Sequence, residues 1–112
     1  METLRKKKDF DRVFCEGRKV DLPPIRMWFL QKESGSLRVC FVGRSKKAVR
    51  RNRIRRRLRE AFRQYFYDRF REKPVDVIFF SDERLLSEDF KTIVEKMARL
   101  LDENLCGQGE LL

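Results

Sequence analysis

The chain has 112 residues, 41% of them apolar and 41% charged, with a formal net charge of +10. That length fits one domain with a modest core, and ten Phe, one Trp and two Tyr argue against disorder. Histidine is absent, which excludes the usual zinc-ligand spacings and every Ser-His or Cys-His nucleophile pair. No apolar run approaches the ~20 residues of a membrane span. The N-terminus lacks the apolar core and cleavage site of a secretory signal, so a cytoplasmic protein that meets no membrane is expected. Cys15, Cys40 and Cys106 are widely separated and are read as free thiols. We assign no catalytic residue and no metal-ligand set to the chain.

Residues 1–8 form a basic arm, expected to be flexible, with Arg5, Lys6, Lys7 and Lys8. Phe10, Val13 and Phe14 then follow helical spacing over residues 9–16, and Gly17 reads as a helix stop. By spacing alone the two Phe fit core packing, and Asp9 and Asp11 fit an acidic helix start. Residues 18–24 leave room for a short edge strand ended by Pro23 and Pro24. Residues 25–31 alternate, with Ile25, Met27 and Phe29 on one face and Arg26, Trp28 and Leu30 on the other. Ser34-Gly35-Ser36 signals a hairpin turn, and residues 37–42 return with Leu37, Val39 and Phe41 inward. These two strands are expected to pair antiparallel.

Residues 44–63 hold eleven Lys or Arg and one acid, Glu60, so this stretch carries as much net charge as the whole chain. Ser45 reads as the N-cap of a helix that runs to about Phe70 before Pro74. At ~100° per residue, Ile54, Leu58, Ala61, Phe62 and Tyr65 share one face. Asn52, Arg56, Arg59 and Arg63 lie opposite, while Arg50, Arg51, Arg55 and Arg57 flank the apolar stripe. A solvated charged face would mix signs; this one does not, which points to a polyanion. Arginine pairs bidentately with phosphate and stacks on bases, so a docked nucleic acid is favoured. The preceding segment is a strand, which does not support a helix-turn-helix, so folded RNA is favoured over DNA.

Residues 75–81 are the most apolar run and read as a central strand, parallel to residues 37–42 across the long helix in a βαβ unit. Ser87 is the expected cap of a last helix with Phe90, Ile93, Val94, Met97, Leu100, Leu101 and Leu105 inward. Gly107 should end it, with residues 107–112 as a flexible tail. The fold class expected is α+β: one domain over residues 1–112, a two-layer sandwich in the order α-β-β-α-β-α with one extra short edge strand allowed.

Ala48, Arg51-Asn52, Ile54, Arg55-Arg56, Leu58 and Arg59, in that spacing, resemble the signature of the bacterial ribonuclease P protein component. The flanking pattern of helix, strands, basic helix, strand and helix extends the resemblance over nearly the whole chain. One departure is the connector Gly43-Arg44-Ser45-Lys46-Lys47, shorter than the family's and with Lys46 where a Gly normally stands. The resemblance implies a subunit that binds a large catalytic RNA, whose own Mg2+ ions carry the removal of the 5′ leader from precursor tRNA. It implies contacts to that RNA from Arg51, Asn52, Arg55, Arg56 and Arg59, with Lys46, Lys47, Arg50, Arg53 and Arg63 in support. It further implies a cleft for the single-stranded leader lined by Phe10, Phe14 and Trp28, and a left-handed βαβ crossover. A structural ribosomal or other RNA-binding protein is the alternative. A stand-alone nuclease would need a metal-binding acid cluster, and Asp82, Glu83, Glu88 and Asp89 are explained by a helix start.

Overall fold

The computed structural model describes residues 1–106. Its elements are α1 (Lys7–Glu16), β1 (Arg18–Leu22), β2 (Ile25–Gln31), β3 (Arg38–Arg44), α2 (Ala48–Tyr65), the short α3 (Tyr67–Phe70), β4 (Val75–Asp82) and α4 (Phe90–Leu101). A 3₁₀ turn, Glu83–Ser87, precedes α4, and a wider turn, Asp102–Cys106, follows it. The expected α+β order holds, with β1 as the extra edge strand. Gly107 and the tail lie outside the described residues.

The four strands stand in the order β1-β2-β4-β3. β4 pairs antiparallel with β2 and parallel with β3, so β3, α2 and β4 form the expected βαβ unit. The expected pairing of β2 with β3 is not formed, because β4 lies between them. Five consecutive residues of β4, Val75–Phe79, are buried, and a strand this apolar is most stable with a neighbour on each edge. The turn at Gly35, with φ of 102°, is real but carries the chain across the entry to β4 instead of closing a hairpin. Lys32 N–H donates to Pro74 O at 2.7 Å, and Leu37 N–H donates to Arg71 O at 3.2 Å. Both bonds tie the connector to the segment that feeds β4.

One face of the sheet carries the main core. Val77 and Phe79 of β4 meet Met27 and Phe29 of β2, Val39 and Phe41 of β3, and the inward stripes of α2 and α4. Phe79 stacks on Phe41 at 5.9 Å between centroids and lies 5.7 Å from Phe62 of α2. Ile54, Leu58, Ala61 and Phe62 are fully buried, as their spacing predicts.

Three details differ from expectation. Ser45 Oγ accepts from Lys47 N–H in a turn that precedes the helix; Lys47 stands at the N-cap position without a side-chain cap, and α2 begins at Ala48. The long helix breaks at Phe66, and Phe66 and Phe70 turn into the core; Tyr65, expected on the buried stripe, stays 57% exposed. Asp89 caps α4, its carboxylate accepting from Thr92 N–H at 2.8 Å, while Ser87 closes the 3₁₀ turn that buries Leu85.

β3 and α2 are in close contact at Gly43. A Cβ there would stand 2.6 Å from Arg51 O and 3.0 Å from Ile54 Cβ. Gly43→Ala is therefore expected to destabilise the fold by ~1–3 kcal/mol, read as a lower denaturant midpoint at unchanged m value. An unchanged midpoint would show that the basic helix is seated farther from β3.

Candidate nucleic-acid interface

The second face of the sheet is only partly covered. Strand register places Lys19, Trp28, Ile78 and Cys40 in one row across the four strands. Asp21, Arg26, Phe80 and Val42 form the next row. α1 crosses this face through Val13, which packs with Leu4 and Ile78 in a second buried cluster. Phe10 and Trp28 lie half-buried against that cluster. Phe14 is 42% exposed and meets Trp28 edge-on at 4.8 Å, and Lys19 Nζ lies 5.7 Å from the centre of the Trp28 ring. The three aromatics singled out in the sequence therefore share one surface, with Phe14 the most accessible.

The backbone explains why α1 can lie so close. Gly17 ends the helix, and a Cβ there would meet Phe29 O at 2.4 Å and Val13 O at 2.5 Å. Charge fixes the other end. Arg38 donates to both oxygens of the buried Asp76 carboxylate, at 3.0 and 2.8 Å, and reaches Asp9 of α1 at 3.3 Å. Lys32 closes the network on Asp76 at 2.9 Å. Burial alone would raise the Asp76 carboxyl, but the hydrogen bonds from Arg38 and Lys32 outweigh it and hold it below the usual carboxylate range. Asp9, read as a simple helix-start acid, is also a tether.

The arginines of α2 divide into sets. On the flank toward α4, Arg50 pairs with Glu83, and Arg57 donates to the Glu88 carbonyl at 3.3 Å, while its buried Nε has no partner among the described residues. Arg63 pairs with Glu60 at 2.8 Å. On the other flank Arg51 donates to Ser45 O at 2.9 Å, and Arg55 donates to Asn52 Oδ1. Among the described residues Lys46, Lys47, Arg51, Arg53, Arg55, Arg56 and Arg59 form no ion pair, and all are exposed.

The two surfaces meet. A groove of about 410 Å³ is lined by Phe10 of α1, Cys40 and Val42 of β3, and Arg51, Asn52 and Arg55 of α2. Burial raises the Cys40 thiol, so it stays protonated, and Cys15 and Cys40 are free. Sequence reasoning placed Arg26 on this face beside Trp28 but missed Phe80 and Lys19. The alternation Asp76, Ile78, Phe80 would have pointed to Phe80, had the position of β4 been known. Among the described residues no group of three or more His, Cys, Asp or Glu is placed to hold a metal ion. Among the described residues no helix is long and apolar enough to cross a membrane.

A family model described as Ribonuclease P matches residues 1–104. The chain belongs to the ribonuclease P protein family. The Ribonuclease P protein component of Nitratiruptor sp. is 32% identical over 105 residues, covering 91% of each chain. That of Thermoanaerobacter sp. is 30% identical over 100 residues, 88% of this chain and 84% of the other. The structure of the RNase P protein from Thermotoga maritima superimposes with a TM-score of 0.76 at 29% identity, over 92% of this chain and 97% of that one. The Staphylococcus aureus RNase P protein matches with the same TM-score at 20% identity, a likeness of fold. As a ribonuclease P protein, the chain is a subunit of an endoribonuclease of tRNA processing and has an RNA partner.

The ion network that seats α1 gives this ribonuclease P protein a defined acid response. Because the folded-state value of Asp76 is lowered, its contribution is fully present above pH ~4 and is lost as pH falls through that lower value. Asp76→Asn, which leaves Lys32 and Arg38 facing a neutral amide, is expected to cost ~3–5 kcal/mol at neutral pH. It should also flatten the acid limb of the stability–pH curve. A variant that keeps the wild-type slope would assign that limb to other carboxylates.

Proposed function

We propose that the exposed arginine face of α2 binds the catalytic RNA of ribonuclease P, while the aromatic face of the sheet holds the single-stranded 5′ leader of precursor tRNA. The observation that carries this reading is the shared groove, where Phe10 stands across from Arg51, Asn52 and Arg55. Guanidinium forks suit the phosphates of a folded RNA surface. Exposed aromatic faces beside cations suit an unpaired strand of any sequence. A purely structural RNA binder has no use for an exposed Phe14. Magnesium ions bound by the RNA carry the hydrolysis, and this chain binds and positions the substrate. The setting is the cytoplasm.

The test is cleavage of precursor tRNA at low magnesium by a bacterial ribonuclease P RNA, with and without the protein. Stimulation is expected with both components and no cleavage with protein alone; absence of stimulation would remove the reading. Arg56→Ala combined with Arg59→Ala should weaken binding to the catalytic RNA and flatten its log–log salt dependence by about one unit per lost phosphate contact. Phe14→Ala or Trp28→Ala should weaken precursor binding by ~1–3 kcal/mol per lost stacked base while sparing mature tRNA. Equal losses on precursor and mature tRNA would place the leader elsewhere.

A further inference from the structure

The first residues of the chain, expected as a loose basic arm, are anchored. Glu2 O accepts from Val39 N–H at 3.0 Å, which lays the arm along the outer edge of β3. Leu4 is 3% exposed and sits in the cluster with Val13 and Ile78. With the arm held there, Met1, Thr3 and Leu4 border a second groove of about 520 Å³. Its floor is Cys40 and Phe41, and its opposite wall is Asn52, Arg55, Arg56 and Arg59. Among the described residues no acid lines the groove, and its three arginines form no ion pair.

We propose that the arm is the second wall of an RNA-binding groove: α2 and residues 1–4 clasp one sugar–phosphate strand of the RNA partner between them. The arginines of α2 take the phosphates from one side. The arm offers backbone groups and the Thr3 hydroxyl, which now accepts from Arg5 Nε at 3.4 Å, to the ribose hydroxyls on the other. The groove turns the arginine face from an open patch into a slot with two sides, which selects a single strand over the broad surface of a duplex. This rests on the reading of α2 as the face for the catalytic RNA.

The experiment measures binding of the full-length protein to a bacterial ribonuclease P RNA across a salt series, with Thr3 changed in both senses. Thr3→Glu keeps both anchors of the arm and sets a carboxylate opposite the arginines. It is expected to weaken binding roughly tenfold, the effect of opposing one charge-assisted contact. Thr3→Arg is expected to tighten binding and steepen the salt slope by about one unit. Gln31→Glu makes the same charge change as Thr3→Glu at the exposed end of β2, away from the groove, and is expected to leave affinity unchanged. If the wild type binds and both Thr3 variants match it, or if Gln31→Glu weakens binding as much as Thr3→Glu, the arm is not a wall and the proposal is overturned, with the reading of α2 intact. If the wild type does not bind the catalytic RNA, the reading of α2 fails and this proposal fails with it.

Discussion

The burial of β4 on both of its faces is the constraint from which the rest of the structure follows. Val75–Phe79 and Ser81 have almost no contact with solvent. A strand in that position needs a neighbour on each edge and a layer over each face. β2 and β3 supply the edges, and α2 with α4 supplies one full layer. The other layer is α1 and the first residues of the chain, and it is too small for the sheet it covers. It seals Ile78 but leaves Phe80 and its row partners Val42 and Arg26 partly open. The aromatic surface is thus the uncovered remainder of a two-sided sheet, kept open by the shortness of one ten-residue helix.

The same packing lets a strongly like-charged helix exist. Each close pair of like charges on a helix costs a few tenths of a kcal/mol, whereas burying one large apolar side chain contributes ~1.5–3 kcal/mol. Ile54, Leu58 and Phe62 are all fully buried, so the apolar stripe outweighs the repulsion along α2. Compensation is also uneven. Glu83 and the Glu88 carbonyl come from the turn before α4 and serve only the flank that faces it. Among the described residues the flank beside β3 receives no acid, and its positive potential is concentrated where the sheet is open.

Much of this could be read in the sequence, because it rests on local periodicity. The inward stripe of α2, the alternation of β2 and β3, and the basic face were all visible as spacing. The resemblance carried by Ala48, Asn52, Ile54 and Leu58 pointed to the family. What escaped reading depends on tertiary order. Ser34-Gly35 is a true turn, yet nothing in it reports that a strand from forty residues later will enter between its arms. Tyr65 fits the helical stripe as well as Phe62 does, and only the break at Phe66 moves it outside. Ser87 and Asp89 are both good caps; the choice fell to Asp89 because burying Leu85 consumed the residues before it. The role of Leu4 was hidden because one apolar residue in a basic arm has no periodicity to betray it.

β3 couples the two candidate surfaces. Its inward residues, Val39 and Phe41, pack in the core beneath α2, and its outward residues, Cys40 and Val42, floor the grooves beside α1. The position of the arginine face relative to the aromatic face is therefore set by the register of β3 against β4. A slip of one residue would exchange the two faces of β3. The pairing of Arg38 with Asp76 opposes such a slip. In the observed register the guanidinium reaches a buried carboxylate; one residue away, Asp76 would lose its bidentate partner and Arg38 would point into the Phe41–Phe79 core. An unpaired buried charge costs several kcal/mol, comparable to a large part of the stability of a domain this size. Replacing the pair by apolar residues would restore burial without restoring this discrimination. The ion pair is best understood as the device that fixes how far apart, and at what angle, the chain presents its arginines and its aromatics.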